Sequence, residues 1–90
     1  MRTIERTTKF KRDYKREKKA DAAVNRILVE VLNLLAGDTP LPERLRDHAL
    51  GGAWTGYRDC HLKPDLVLIY AKRLDVLTLV RIGSHSELFE

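Results

Sequence analysis

Residues 66–71 read LVLIYA, six apolar residues in a row within a chain of 90. A strand with one wet face alternates apolar and polar side chains. An unbroken apolar run marks a strand covered on both faces. The fold must therefore place this strand centrally and bring material to each side of it. Cover for one side lies upstream. In residues 22–36, AAVNRILVEVLNLLA, the side chains of Val24, Ile27, Leu28, Val31, Leu32 and Leu35 recur at three- and four-residue spacing. That is the buried stripe of an amphipathic helix. Asp21 is its expected N-cap, and Gly37 its expected C-cap in the left-handed region.

The remaining elements are less strongly marked. Residues 2–7, RTIERT, have only Ile4 as an aliphatic and suggest a short strand near a sheet edge. Thr8 is expected to cap a helix over residues 9–19, KFKRDYKREKK. Only Phe10 and Tyr14 are large and apolar there, one turn apart on one face. This helix and the next should form an antiparallel hairpin. Residues 38–53 contain Pro40, Pro42 and Gly51-Gly52 and read as a long connection, with room for a helical turn around 43–46. Strands are expected at 54–62, 66–71 and 76–82, the first two joined by Lys63-Pro64-Asp65. In the first, Trp54, Gly56, Arg58 and Cys60 should share one face, and Tyr57, Asp59 and His61 the other. Gly83 should end the third strand, leaving SHSELFE as a tail. The order β-α-α-β-β-β describes a single α+β domain over residues 1–90, a two-helix hairpin packed on a small, mainly antiparallel sheet.

Composition excludes several classes. No stretch approaches the ~20 apolar residues of a membrane span. The start, MRTIERTTKFKR, lacks the apolar segment of a secretory signal. A lone cysteine excludes an internal disulfide and fits a reducing cytoplasm. Cys60 itself reads as a small core residue rather than a nucleophile. The net charge of +4 is uneven: residues 1–36 hold ten Lys/Arg against five Asp/Glu, and residues 37–90 seven against eight. Lys9, Lys11, Arg12, Lys15, Arg16, Lys18 and Lys19 spread over the first helix. They suit a polyanion or an acidic partner, although a solvated helix face is the plainer reading.

Chemistry is concentrated in the second half. His61 and Asp65 bracket one tight turn, so Asp65 is expected to hold the His61 imidazole and raise its pKa. His48 lies in the connection before that hairpin, and His85 follows the last strand. All three can meet at one end of the sheet. Arg81 could stabilise an anionic phosphorane there. Three histidines and an aspartate suffice in number for zinc. Their separations of 13 and 24 residues have none of the close spacing that marks ligand pairs, so no metal is expected. Imidazoles titrating near ~6.5 suit acid–base cleavage of RNA, which carries its own nucleophile in the 2′-OH. Surface histidines without a role are the alternative. Trp54 and Tyr57 each fit either the core or a base-stacking site.

The runs DHALGGAWTGYRDCHLKPDLVLIY and LVRIGSHSELF resemble the YafQ branch of the RelE/ParE toxin superfamily. The resemblance is close over residues 38–90 and rests on pattern alone in the helices. It implies a toxin of a type II toxin–antitoxin pair that enters the ribosomal A site and cuts translated mRNA. The cut needs no metal or other cofactor and leaves a 2′,3′-cyclic phosphate, or the 3′-phosphate derived from it. It also implies a cytoplasmic protein blocked by a cognate antitoxin, a small DNA-binding protein encoded nearby, in an oligomeric complex able to bind operator DNA. The family's functional positions fall on His48, His61, Asp65, His85 and Phe89. Phe89 would stack on a base or close the core. Leu66 stands where close relatives can carry a Trp. The ParE branch, which inhibits DNA gyrase by contact, is the alternative.

Overall fold

Residues 2–89 are described here from a computed structural model. Strand β4 (Leu66–Lys72) lies in the middle of a five-stranded sheet and is buried from Leu66 to Ala71. The sheet order is β1-β5-β4-β3-β2, with β1 at Thr3–Arg6, β2 at His48–Ala49, β3 at Arg58–Lys63 and β5 at Val76–Gly83. Only the β1–β5 pairing is parallel. Helices α1 (Thr8–Ala20) and α2 (Ala23–Ala36) cover one face. Leu66, Leu68 and Tyr70 join Cys60, Leu77, Leu79 and Ile82 against Val24, Leu28, Val31 and Leu35 of α2. Each of those α2 side chains contributes about 2 kcal/mol by burial. Val67 and Ile69 point the other way, into a smaller cluster with Trp54, Tyr57 and Leu88. The central strand is thus covered on both sides, as its unbroken apolar run requires.

Several expectations need correction. The connection 38–53 contains a strand, β2, that pairs His48 with Asp59 and Ala49 with Arg58. Two residues are too few to show alternation. Strand β3 starts at Arg58, not 54, because Gly52–Trp54 form a 3-10 turn and Gly56 takes a φ of +96°. That turn carries Trp54 to the face away from the helices, where it meets Tyr57 edge-on. The N-cap of α1 is Thr7 rather than Thr8: its Oγ1 accepts from the Phe10 N–H at 3.0 Å. Asp21 lies one residue before the formal cap of α2, yet its carboxylate accepts from the Ala23 N–H at 2.9 Å. Gly37 has a φ of −92°, and the left-handed residue is Asp38. Residues 85–89 are not an irregular tail but a helix, α3 (His85–Phe89).

Burial alone cannot hold α1, which sinks one apolar side chain fully, Phe10, with Tyr14 packed edge-on at 5.8 Å. Its second buried residue is Asp13, 4% exposed. Strand β1 pairs with β5 only as far as Leu79, which leaves the β5 edge bare beyond that point. α1 covers it. Thr7 Oγ1 donates to the Val80 carbonyl at 2.8 Å. The Asp13 carboxylate accepts from the Ile82 N–H at 3.3 Å and from the Arg81 guanidinium at 2.6 and 3.2 Å. Arg16, 3.6 Å from Asp13, reaches on to Glu87 of α3 at 2.7 Å. A Cβ at Gly83 would crowd the Glu87 carboxylate, so a bare residue there leaves it room to meet Arg16.

Replacing Asp13 with Ala strands both the Arg81 charge and a buried N–H. The expected loss is about 3 kcal/mol, read as a lower urea midpoint at unchanged slope. An unaltered midpoint would contradict this account of how α1 is held.

Candidate active site

Three segments deliver the histidines: β2 brings His48, β3 His61, and the start of α3 His85. The His61 and His85 rings lie 4.9 Å apart, centre to centre. Phe89 stands 5.8 Å from His85 and 6.5 Å from Trp54, bridging the site and the smaller core cluster. Of the three histidines expected to meet, His61 and His85 come together, and His48 sits one strand over, opposite Asp59. Asp65 does not partner His61, however. Its carboxylate accepts from the His85 backbone N–H at 3.4 Å and lies 3.7 Å from His85 Nδ1. The reason is register. β4 pairs Val67 with Gly83, which sets the β3–β4 turn beside the start of α3. The free N–H groups of a helix start need acceptors, and Asp65 supplies one.

The residue that sequence reasoning missed is Asp59. It is 2% exposed and lies across the β2–β3 ladder from His48. His48 Nδ1 sits 3.1 Å from Asp59 Oδ1 and 2.7 Å from the Arg46 carbonyl oxygen. Two acceptors at Nδ1 fix the proton there and leave Nε2 as the outward nitrogen. Asp59 Oδ1 makes no well-aligned hydrogen bond. Burial raises the Asp59 pKa, opposed by the charges of His48, His61 and His85. This is a buried carboxylate whose main compensation is a ring of imidazoles. Strand alternation had already put Asp59 on the face of His61. The missing signal was the two-residue strand that brings His48 opposite.

His61 behaves contrary to expectation. Its pKa is lowered, chiefly by burial. Asp59 opposes that shift, and His85, Arg46 and His48 reinforce it. Its imidazole is thus neutral at neutral pH and available to accept a proton. Arg81 is held by Asp13 and lines a cleft with Lys9, Arg12 and Arg16. Its partner is that carboxylate, not an imidazole of the cluster. Cys60 is buried and its thiol is pushed up to about 12 by burial, which fits a core residue. Leu66 is also core, on the helix side of the sheet. The loop before His48 is pinned by Asp47, which binds Arg58 through two contacts at 3.1 and 3.4 Å and accepts from the Tyr70 hydroxyl. Among the described residues, no group of three or more His, Cys, Asp or Glu has metal-holding geometry.

Asp59→Asn removes a poorly compensated buried charge while keeping its shape. The folded protein should be no less stable than the parent by thermal melting, because burial penalises the charged carboxylate that Asn removes. Any activity that relies on the imidazoles should fall about tenfold or more as His48 loses its anionic neighbour. A variant that melts early yet keeps full activity would contradict this view of Asp59.

The fold matches solved bacterial toxins. A chain of the Escherichia coli DinJ–YafQ complex aligns with a TM-score of 0.89 at 38% identity, covering 100% of both chains. A copper-bound mutant toxin from Helicobacter pylori aligns at 0.94 with 38% identity, covering 99% of this chain and 100% of the other. The mRNA interferase toxin YafQ of E. coli K12 is 36% identical over 89 residues, 99% of this chain and 97% of its own length. The family model for YafQ, a bacterial toxin of type II toxin–antitoxin systems, matches residues 2–90. The chain belongs to the YafQ toxin family, as its motifs anticipated.

Proposed function

We propose that this toxin is an mRNA endonuclease that cuts translated codons in the ribosomal A site. The observation that carries the reading is the grouping of His48, His61 and His85 around the buried carboxylate of Asp59. Neutral His61 takes the proton of a ribose 2′-OH, whose oxygen attacks the adjacent phosphorus. The bond from phosphorus to the 5′-oxygen breaks, and His85, set beside Asp65, delivers a proton to that leaving oxygen. The products are a 2′,3′-cyclic phosphate and a free 5′-hydroxyl. His48 presents Nε2 to the phosphate, and Phe89 stacks on a neighbouring base. With acid, base and nucleophile all accounted for, the reaction requires no metal or cofactor.

Lys9, Lys11, Arg12, Lys15, Lys18 and Lys19 of α1 contact phosphates of the ribosome and mRNA without reading sequence. Arg16 is already engaged by Asp13, Glu17 and Glu87, so its first duty is structural. Because E. coli YafQ is known in complex with DinJ, a cognate antitoxin is the natural partner here. It would be a small DNA-binding protein encoded nearby, in an oligomeric complex that binds operator DNA. No described helix is long and apolar enough to cross a membrane, and a cytoplasmic site of action follows from the proposed target.

His61→Ala and His85→Ala should each lower the rate of cleavage by about 10²-fold or more and relieve growth arrest. Mapping mRNA 5′ ends after brief induction checks this. Arrest with intact mRNA would favour gyrase inhibition instead. The acidic limb of the pH–rate profile should lie below the ordinary imidazole value of ~6.5, because the lowered pKa keeps His61 deprotonated into mildly acidic solution. An acidic limb above that value would remove His61 from the role of base.

A further inference from the structure

Strand β3 runs past its short partner. β2 pairs only with Arg58 and Asp59, so residues 60–63 have no strand on that side. The 3-10 turn Glu43–Leu45 lies alongside instead and ends at Arg46, whose φ of +50° is left-handed. Between turn and strand is a groove of about 440 Å³. Leu62 and Pro64 contribute apolar lining, while Arg44, Arg46 and Lys63 supply three cations. His61 forms part of the same wall.

The cations are not equivalent. Lys63 is committed to Asp21 at the start of α2. Among the described residues, neither Arg44 nor Arg46 has a carboxylate partner within 4.0 Å. Nearby carboxylates have other business: Asp47 is taken by Arg58 and Tyr70. Arg46 is also fixed at its backbone, because its carbonyl receives His48 Nδ1 at 2.7 Å. The left-handed bend thus sets one residue against two histidines: its carbonyl receives His48, and it lines the same groove as His61. Arg81, the guanidinium that sequence reasoning nominated for the phosphate, is by contrast neutralised by Asp13. Free guanidiniums in a groove continuous with the reacting imidazole match the planar, bidentate demand of phosphodiester oxygens.

We propose that this groove is a phosphate-binding subsite for the mRNA backbone next to the cut, with Arg46 on the phosphate nearest His61 and Arg44 on the following one. The proposal rests on the ribonuclease reading above. It replaces Arg81 with Arg46 as the cation closest to the reaction, and it adds a contact that sets how the strand enters the site.

The test uses the full chain and a single-stranded RNA made uncleavable by 2′-O-methyl groups, with binding followed by fluorescence anisotropy between about 50 and 200 mM salt. Arg44→Gln and Arg46→Gln should each flatten the log–log salt dependence by about 0.7, the value for one phosphate contact on a single strand. Together they should flatten it by about 1.4. Gln at 46 keeps the same left-handed backbone demand as Arg, and thermal melting checks folding. Arg44→Lys and Arg46→Lys should restore most of the slope. Unchanged slopes in both Gln variants overturn the proposal. If the slopes hold while antitoxin affinity falls, the groove is a protein contact and the proposal is equally wrong. His85→Ala separates the two readings. Full cleavage by that variant would sink the assigned acid, whereas the salt slopes report on the groove alone.

Discussion

The Asp13 carboxylate is the point on which the two halves of the molecule are joined. α1 is too polar to be held by burial. β5 is longer than the strand that flanks it, which leaves backbone groups bare at one edge. One buried carboxylate resolves both difficulties. It takes the Ile82 N–H, neutralises Arg81 and leaves Arg16 in place to reach α3. An unpaired sheet edge invites association with other chains. Covering it with a helix that carries its own acceptor removes that risk without another strand.

The candidate active site is built on a different compromise. Asp59 is buried and its Oδ1 makes no well-aligned hydrogen bond, an arrangement that costs stability. In return the carboxylate sets a negative charge beside His48 and within electrostatic reach of His61 and His85. The supporting contacts are a second ring. Asp47 ties the loop to β3 and β4, and the Arg46 carbonyl fixes the His48 tautomer. The imidazoles are partly open to solvent, whereas Asp59, which faces His48, is buried.

Much of this was legible beforehand. The unbroken LVLIYA run announced a central strand, and the α2 stripe announced its cover, because burial writes itself into periodicity. The motifs around His48, His61 and His85 indicated the family. The missed features share a cause, namely that they depend on register. The β2 strand has no pattern of its own. Asp65 turns to His85 because of how β4 aligns with β5, and Asp59 matters only once His48 lies opposite. Arg81 appeared free because its partner lies 68 residues away. The left-handed turns at Asp38 and Arg46 fall on residues other than glycine, so composition gave no warning of them.

Helix α3 has five residues, far fewer than the ~12–15 an isolated helix needs to persist in water. It persists here through Leu88 in the smaller core cluster, the Glu87–Arg16 pair and the Asp65 carboxylate at its start. Yet it carries both His85 and Phe89. The segment that would complete the proposed chemistry is therefore one with little packing of its own to keep it closed. A weakened Arg16 contact would loosen α3 while the sheet and the α2 packing stayed in place.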